Sequence, residues 1–215
     1  MKYSTAISAG LALVGFASAA PTSVEARAVK SAAQIIGEIA PNSLTCADTS
    51  ATSECRTNVQ AAPLFIHAFK EYRLFDYGQM AAVLALTSLE SVDFQYKHNV
   101  KPGRPGQGTS NMQMITFNQE YAASIDALKD PLAAIGTADT PEKQNAVLAL
   151  VKDDKYNFAS GPWFLTKHCP ASVDALKARG TQLDDAFKGY MDCVGVTIDA
   201  ARQEKWTLAK KAFGL

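Results

Sequence analysis

The sequence has no net charge and no long block of one sign, because 21 Lys and Arg residues balance 21 Asp and Glu residues. Proteins that bind nucleic acid or anionic membranes normally present a basic face, so neither partner is expected. Beyond the first 20 residues, no apolar run is long enough to span a bilayer. No Asn-x-Ser/Thr sequon occurs, so N-glycosylation is not expected.

Cysteine is also scarce, and none of the four residues forms a Cys-x-x-Cys pair. This spacing argues against a thiol redox site or a zinc knuckle. The three histidines are scattered, and phosphate-loop, dinucleotide and calcium-loop motifs are absent, so no metal and no cofactor is expected. Four cysteines allow three disulfide pairings, of which spacing favours the local bridges Cys46–Cys55 and Cys169–Cys193.

The first 19 residues have the pattern of a secretory signal peptide. Lys2 supplies a positive charge, residues 6–16 an apolar core, and residues 17–19 a small-residue cleavage site. We expect residues 20–30 to be a mature N-terminus or a short pro-segment, and residues 31–215 to be one domain. The protein is then expected to be extracellular and monomeric, with its cysteines oxidised.

The apolar pattern of the remaining chain is helical and predicts a mainly α domain with at most a small β-hairpin. The run 77–89 is apolar on nearly every side, which predicts a helix buried through the middle of the domain. Asp76 is its predicted N-cap. Residues 97–110 contain three glycines and two prolines and therefore predict a loop, which in a compact domain is usually functional or disordered.

Glu90 ends the buried apolar run and is the first candidate catalytic residue. Partial desolvation raises the pKa of a carboxyl group and keeps it protonated, as the general acid of a glycosidase must be. The alternative is a helix-terminal Glu that points into water. Asp93, one turn further on, is the nearest candidate for a second acid. It could equally cap the helix or pair with Lys97.

Amide side chains follow the glycine-rich loop. Asn111, Gln113 and Asn118 can each donate and accept hydrogen bonds, as recognition of sugar hydroxyls requires. The same groups could instead brace the loop. Tyr121 suits either a packed core or contact with a sugar ring.

The order of these features resembles the lysozyme-like superfamily. Glu90-Ser91 at the end of an apolar helix, a glycine-rich loop and Met112-Gln113 are similar to the lytic transglycosylases and goose-type lysozymes. A second set of positions is similar, in order, to the plant-type chitinases: Gly106, Gln107, Gly108, Gln113, Asn118 and Tyr121. Fungal-type β-mannanases with the same scaffold are a further comparison.

The resemblance implies a lysozyme-like fold and a secreted glycan-cleaving enzyme, either a glycoside hydrolase or a lytic transglycosylase. Its substrate would be a chitin-, peptidoglycan- or mannan-type polysaccharide, with Glu90 as general acid and Asp93 as possible second acid. Asn111 and Gln113 would position the sugar. One alternative is a non-catalytic secreted glycan-binding or host-interaction protein on the same fold, since a fold does not guarantee activity. Another is a structural protein in which neighbours satisfy a buried Glu90.

Overall fold

The computed structural model describes residues 30–48, 50 and 53–215, and this part of the chain is mainly helical, as predicted. The α-helices in chain order are α1 (Ala32–Ile39), α2 (Asn58–Glu71), α3 (Tyr77–Glu90), α4 (Ile115–Ser124), α5 (Lys129–Ile135), α6 (Pro141–Val151), α7 (Asp154–Asn157), α8 (Ser160–His168), α9 (Pro170–Ala175), α10 (Thr181–Val194) and α11 (Ala200–Phe213). Short 3-10 turns lie at Pro41–Leu44 and Asp126–Leu128. The described residues contain no strand, only two isolated antiparallel bridges that join Gly108 to His98 and to Gln113.

The predicted signal peptide, residues 1–19, and the following residues 20–29 lie outside the described part of the chain. Among the helices that the structure does describe, none combines the length and the apolar character needed to cross a membrane.

Helix α3 forms the centre of the core, as its composition predicts. All residues from 81 to 88 are buried. The helix begins with a reciprocal cap, in which the Asp76 carboxylate accepts from the backbone N–H of Gly78, and the Gln79 side chain accepts from the N–H of Asp76. This cap satisfies backbone donors that a buried helix end cannot leave to water. The N-cap prediction is confirmed.

The other helices surround α3, and α11 packs along it most extensively. Phe187 of α10 and Trp206 of α11 stack with ring centroids 4.2 Å apart, which fixes these two helices against each other. Both predicted disulfides are confirmed. Cys46–Cys55 tethers the segment before α2, and Cys169–Cys193 joins the start of α9 to the end of α10.

Candidate functional site

A cleft opens beside the C-terminal end of α3 and consists of two adjoining chambers. The outer chamber, of about 410 Å³, is lined by Glu90, Val92, Tyr96, His98, Asn99, Val100, Lys101, Gln107 and Met112. The inner chamber, of about 190 Å³, is lined by Leu86, Glu90, Gln107, Asn111, Met112, Gln113, Met114, Phe117, Phe164, Val194, Val196 and Arg202. Glu90, Gln107 and Met112 line both chambers and therefore mark the neck between them.

Both chambers combine apolar and polar groups. The inner one has apolar walls from α3, α4, α8, the end of α10 and the segment after it, together with three amides and the Glu90–Arg202 pair. The outer one carries titratable side chains beside three large apolar groups that face solvent, Val92 (52% exposed), Tyr96 (42%) and Val100 (47%). An apolar rim around a polar opening is typical of a site for an amphipathic ligand.

Glu90 lies in the cleft, as predicted, but its surroundings differ from the prediction. Arg202 Nη2 donates to Glu90 Oε1 at 2.6 Å, and both side chains are largely buried. Glu90 is therefore neither an isolated acid at the edge of a cleft nor a side chain that points into water, but one member of an ion pair. Arg202 lies 112 residues further along the chain, so the sequence around Glu90 gives no sign of it.

Asp93 does not line the cleft, although the sequence predicts it as a second acid. Its side chain is 2% exposed and accepts from Lys205 Nζ at 2.5 Å and from the backbone N–H of Asn42 at 3.1 Å. The alternative partner, Lys97, instead pairs with Asp154. Asp93 therefore anchors the chain after α3 to α11 and cannot serve as the partner of Glu90.

The predicted sugar-binding residues divide into two groups. Asn111 and Gln113 line the inner chamber, and Asn111 Oδ1 has no hydrogen-bond partner among the described residues. Asn118 is fully buried and donates to the backbone oxygens of Gly106 and Gln113, so it braces the glycine-rich loop. Tyr121 is buried against Trp163 and donates to the Tyr156 carbonyl oxygen. Burial raises the pKa of the Tyr121 hydroxyl, which is a core group.

A carboxylate–imidazole pair at the outer chamber is absent from the sequence prediction. Glu54 Oε2 lies 2.7 Å from His98 Nδ1, and it also accepts from the backbone N–H of Lys97 at 2.8 Å. Lys152 Nζ donates to Glu54 Oε1 at 2.6 Å. His98 lies in the predicted loop, and a histidine in such a loop could have been named as a candidate site residue from the sequence. Its partner is 44 residues away, before α2, where nothing in the sequence marks it.

The charge of Glu54 is strongly stabilised. Burial would raise the pKa of this carboxyl, but the bonds from Lys152, the Lys97 backbone and His98 outweigh burial and lower the pKa to about 2. Asp154, next in the same network, accepts from Lys97 Nζ and Arg56 Nε. Its pKa is lowered too, because these two bonds outweigh burial.

The network around Glu54 predicts a specific acid sensitivity. A carboxyl with a lowered folded-state pKa stabilises the fold above its ordinary pKa of 4.5, and this stabilisation disappears as the pH falls towards 2. Glu54 alone should contribute about 2 kcal/mol to the loss of unfolding free energy over that window. Urea unfolding at a series of pH values should show a flatter curve for Glu54→Gln than for wild type. Parallel curves would contradict the assignment.

The backbone at the cleft is strained. Val92, Asp93 and Phe94 follow one another with positive φ (52°, 57° and 66°), and Met112 has φ of 47°. Residues other than glycine rarely adopt the left-handed backbone region, and a β-branched residue is the least suited to it. Two of the four, Val92 and Met112, line the cleft. Strain of this kind persists where the surroundings enforce it, and it concentrates at functional sites.

Comparison with known proteins gives one strong similarity. No protein-family model matches the chain, and no solved structure matches it significantly. Among curated proteins, the bifunctional dioxygenase (DOX)-epoxy alcohol synthase (EAS) of Fusarium oxysporum (strain Fo5176) is 44% identical over 159 residues. The match covers 73% of this chain but spans only 12% of the relative, whose name describes the whole of that much longer protein.

This similarity overturns the predicted family and function. A dioxygenase-epoxy alcohol synthase is not a glycosidase, so membership of the lysozyme-like superfamily and a glycan-cleaving activity are wrong, and the polysaccharide substrate falls with them. The non-catalytic glycan-binding alternative has no support either. The resemblance depended on short motifs, which recur in unrelated helical proteins. The structure also weakens the resemblance to the chitinases, since two of the positions that carry it, Asn118 and Tyr121, do not line the cleft.

The relative's name also raises the question of a redox cofactor, because reaction with O₂ generally uses a metal, haem or flavin. The donor set in the described residues does not fit a metal ion held by three or more side chains. All four cysteines are in disulfides, and no three His, Cys, Asp or Glu side chains there lie close enough together to hold an ion. His67, His98 and His168 lie apart, on α2, in the cleft and among the aromatic rings of α8.

Proposed function

We propose that this chain binds a long, amphipathic, oxygenated small molecule in the two-chambered cleft, with its apolar end in the inner chamber and its oxygenated part at the neck and in the outer chamber. The ligand class is an aliphatic epoxy alcohol or a close precursor. The domain would thus handle a substrate or product of oxidoreductase chemistry carried out elsewhere.

The observation that carries the proposal is a single cleft that offers apolar walls together with hydrogen-bonding side chains. Phe117, Phe164 and Val196 give the inner chamber a wall for a hydrocarbon chain. Burial of such a chain is worth about 0.8 kcal/mol for each CH₂ group. At the neck, the Glu90 carboxylate can accept a hydrogen bond from a hydroxyl group, and the Gln107 amide nitrogen can donate one to an epoxide oxygen. The combined volume lies within the range of small-molecule sites.

The similarity to the epoxy alcohol synthase supports the choice of ligand. That relative is named for a product with a hydroxyl group and an epoxide. The cleft has donors and acceptors for both, and its solvent-facing apolar rim suits the rest of the molecule. Two disulfides and the leader-like pattern of residues 1–19 support the further proposal that the chain acts outside the cell.

Isothermal titration calorimetry with a long-chain aliphatic epoxy alcohol tests this function. We expect binding by wild type and at least about tenfold weaker binding by Val196→Trp, because the larger side chain fills the inner chamber. The unoxidised alkane of the same length should bind more weakly than the epoxy alcohol, since it leaves the polar groups at the neck without partners.

A matched variant separates blocking of the inner chamber from a general loss of folding caused by a new tryptophan. Val59 lies on α2, is 67% exposed and does not line the cleft, so Val59→Trp should bind as wild type does. Equal affinities of Val196→Trp and Val59→Trp would place the ligand elsewhere. No binding of the epoxy alcohol by wild type would refute the function.

A further inference from the structure

The Glu54–His98 pair has the construction of a proton-transfer group, and the binding function above does not require it. His98 Nδ1 is held by the Glu54 carboxylate, which leaves Nε2 as the free ring nitrogen; no hydrogen bond from the described residues engages it. The ring lines the outer chamber and is partly exposed to it. A carboxylate behind an imidazole fixes its orientation and tautomer, and it stabilises the imidazolium that forms when the ring accepts a proton.

The carboxylate of this pair is itself held in place. Both carboxylate oxygens of Glu54 accept hydrogen bonds, Oε1 from Lys152 Nζ and Oε2 from the Lys97 backbone N–H. The adjacent residue, Cys55, is in a disulfide. Asp154 and Arg56 complete the ionic network behind it. Glu54 therefore cannot turn into the cleft, and His98 is the member of the pair that reaches a ligand.

The groups that face the outer chamber together suit one reaction. Besides His98, its titratable and charged residues are Glu90, Tyr96 and Lys101. Glu90 is paired with Arg202, and Tyr96 supplies an O–H donor. The chamber is open to solvent water at its exposed rim. A base, a proton donor and water beside the bound oxygenated group are the requirements for opening an epoxide by hydrolysis.

We infer that His98, oriented by Glu54, catalyses the addition of water to an epoxide carried by the bound ligand. This inference rests on the proposed function and adds an activity to it. His98 Nε2 accepts a proton from water as the water oxygen bonds to one epoxide carbon, and the bond from that carbon to the ring oxygen breaks. The ring oxygen takes a proton from the Tyr96 hydroxyl, and the imidazolium proton returns to Tyr96 through solvent. The net change adds one water molecule, and no oxidant or reductant is needed.

The reaction places this chain after an epoxide-forming step. An epoxy alcohol would leave the cleft as a triol, so the chain would consume the class of product for which its relative is named. Glu54 is a positioning residue in this scheme, because it acts through His98 and not on the ligand.

Incubation of the full chain with a long-chain aliphatic epoxy alcohol in H₂¹⁸O tests the inference, with the products measured by mass spectrometry. We expect wild type to form a triol that carries one ¹⁸O atom. His98→Gln should lose at least about 100-fold in rate, the usual contribution of general acid–base catalysis. The matched control is His67→Gln, because His67 also neighbours a carboxylate, Glu71 at 3.9 Å, but lies exposed on α2 outside the cleft. It should keep the wild-type rate.

Glu54→Gln gives the second readout. Without the carboxylate behind it, the imidazole loses its fixed orientation and tautomer, so kcat should fall while KM keeps the wild-type value. Equal changes of kcat and KM would indicate a merely structural role for Glu54 and would overturn the positioning role.

Calorimetry with the same epoxy alcohol keeps the two proposals distinguishable. If wild type binds the ligand and forms no triol, or if His98→Gln keeps the wild-type rate, the hydrolytic inference is overturned while the binding function stands. If wild type does not bind the ligand, the binding function fails as well.

Discussion

Lys205→Met is expected to lower the free energy of unfolding by about 3–5 kcal/mol, the usual effect of leaving one charge of a buried pair without its partner. Asp93 is 2% exposed, and Lys205 supplies its opposite charge. The remaining contact that Asp93 keeps is the N–H of Asn42, which cannot balance a full negative charge. Chemical denaturation at neutral pH measures the loss directly.

The double variant Asp93→Asn/Lys205→Met separates the charge from the packing. It removes the unpaired carboxylate and keeps a side chain that tolerates the left-handed backbone at this position (φ 57°). We expect it to recover more than half of the lost stability. A double variant as unstable as Lys205→Met would show that the lysine acts through packing and not through its charge.

Gly78→Ala should be the second severe change, with a loss of about 3 kcal/mol or more. A Cβ atom at Gly78 would lie 2.1 Å from the carbonyl oxygen of Leu176 and 2.9 Å from Leu183 Cδ1. The first contact is with backbone, so no side-chain rotation relieves it. The N-terminal end of α3 would have to move away from the end of α9, and thermal denaturation would report the change.

Gly189→Ala is the matched control, since this glycine also lies within a helix. No atom lies within 4 Å of a Cβ built there, and the position is exposed on α10. The substitution should therefore stabilise the protein by roughly 0.5–1 kcal/mol, because alanine loses less backbone entropy in a helix than glycine does. Similar effects of the two substitutions would contradict the close approach at Gly78.

Much of the fold follows from local patterns in the sequence. The run ending at Leu89 is too apolar to lie on a surface, and it forms the central helix with Asp76 as its cap. Close spacing favours the two local disulfides, both of which form. These features depend on residues near one another in the chain, where periodicity and spacing carry information.

The site depends on contacts that no local pattern contains. Glu90 lies in the cleft, but its ion-pair partner Arg202 comes from the last helix. His98 is within the predicted loop, whereas its partner Glu54 precedes α2. The sequence also does not show where a side chain points after an irregular turn. Asp93, a candidate second acid that could equally cap the helix or pair with Lys97, is buried against α11. The family assignment failed because it was built on short motifs around these same residues.

The Cys46–Cys55 bridge ends one residue after Glu54 and so ties the order of the cleft to the oxidation state of two sulfur atoms. In a chain made in a reducing cytosol, the segment that carries Glu54 would lose this tether. Recombinant production should therefore pass through an oxidising compartment. Thiol titration would show whether the bridge has formed in a preparation.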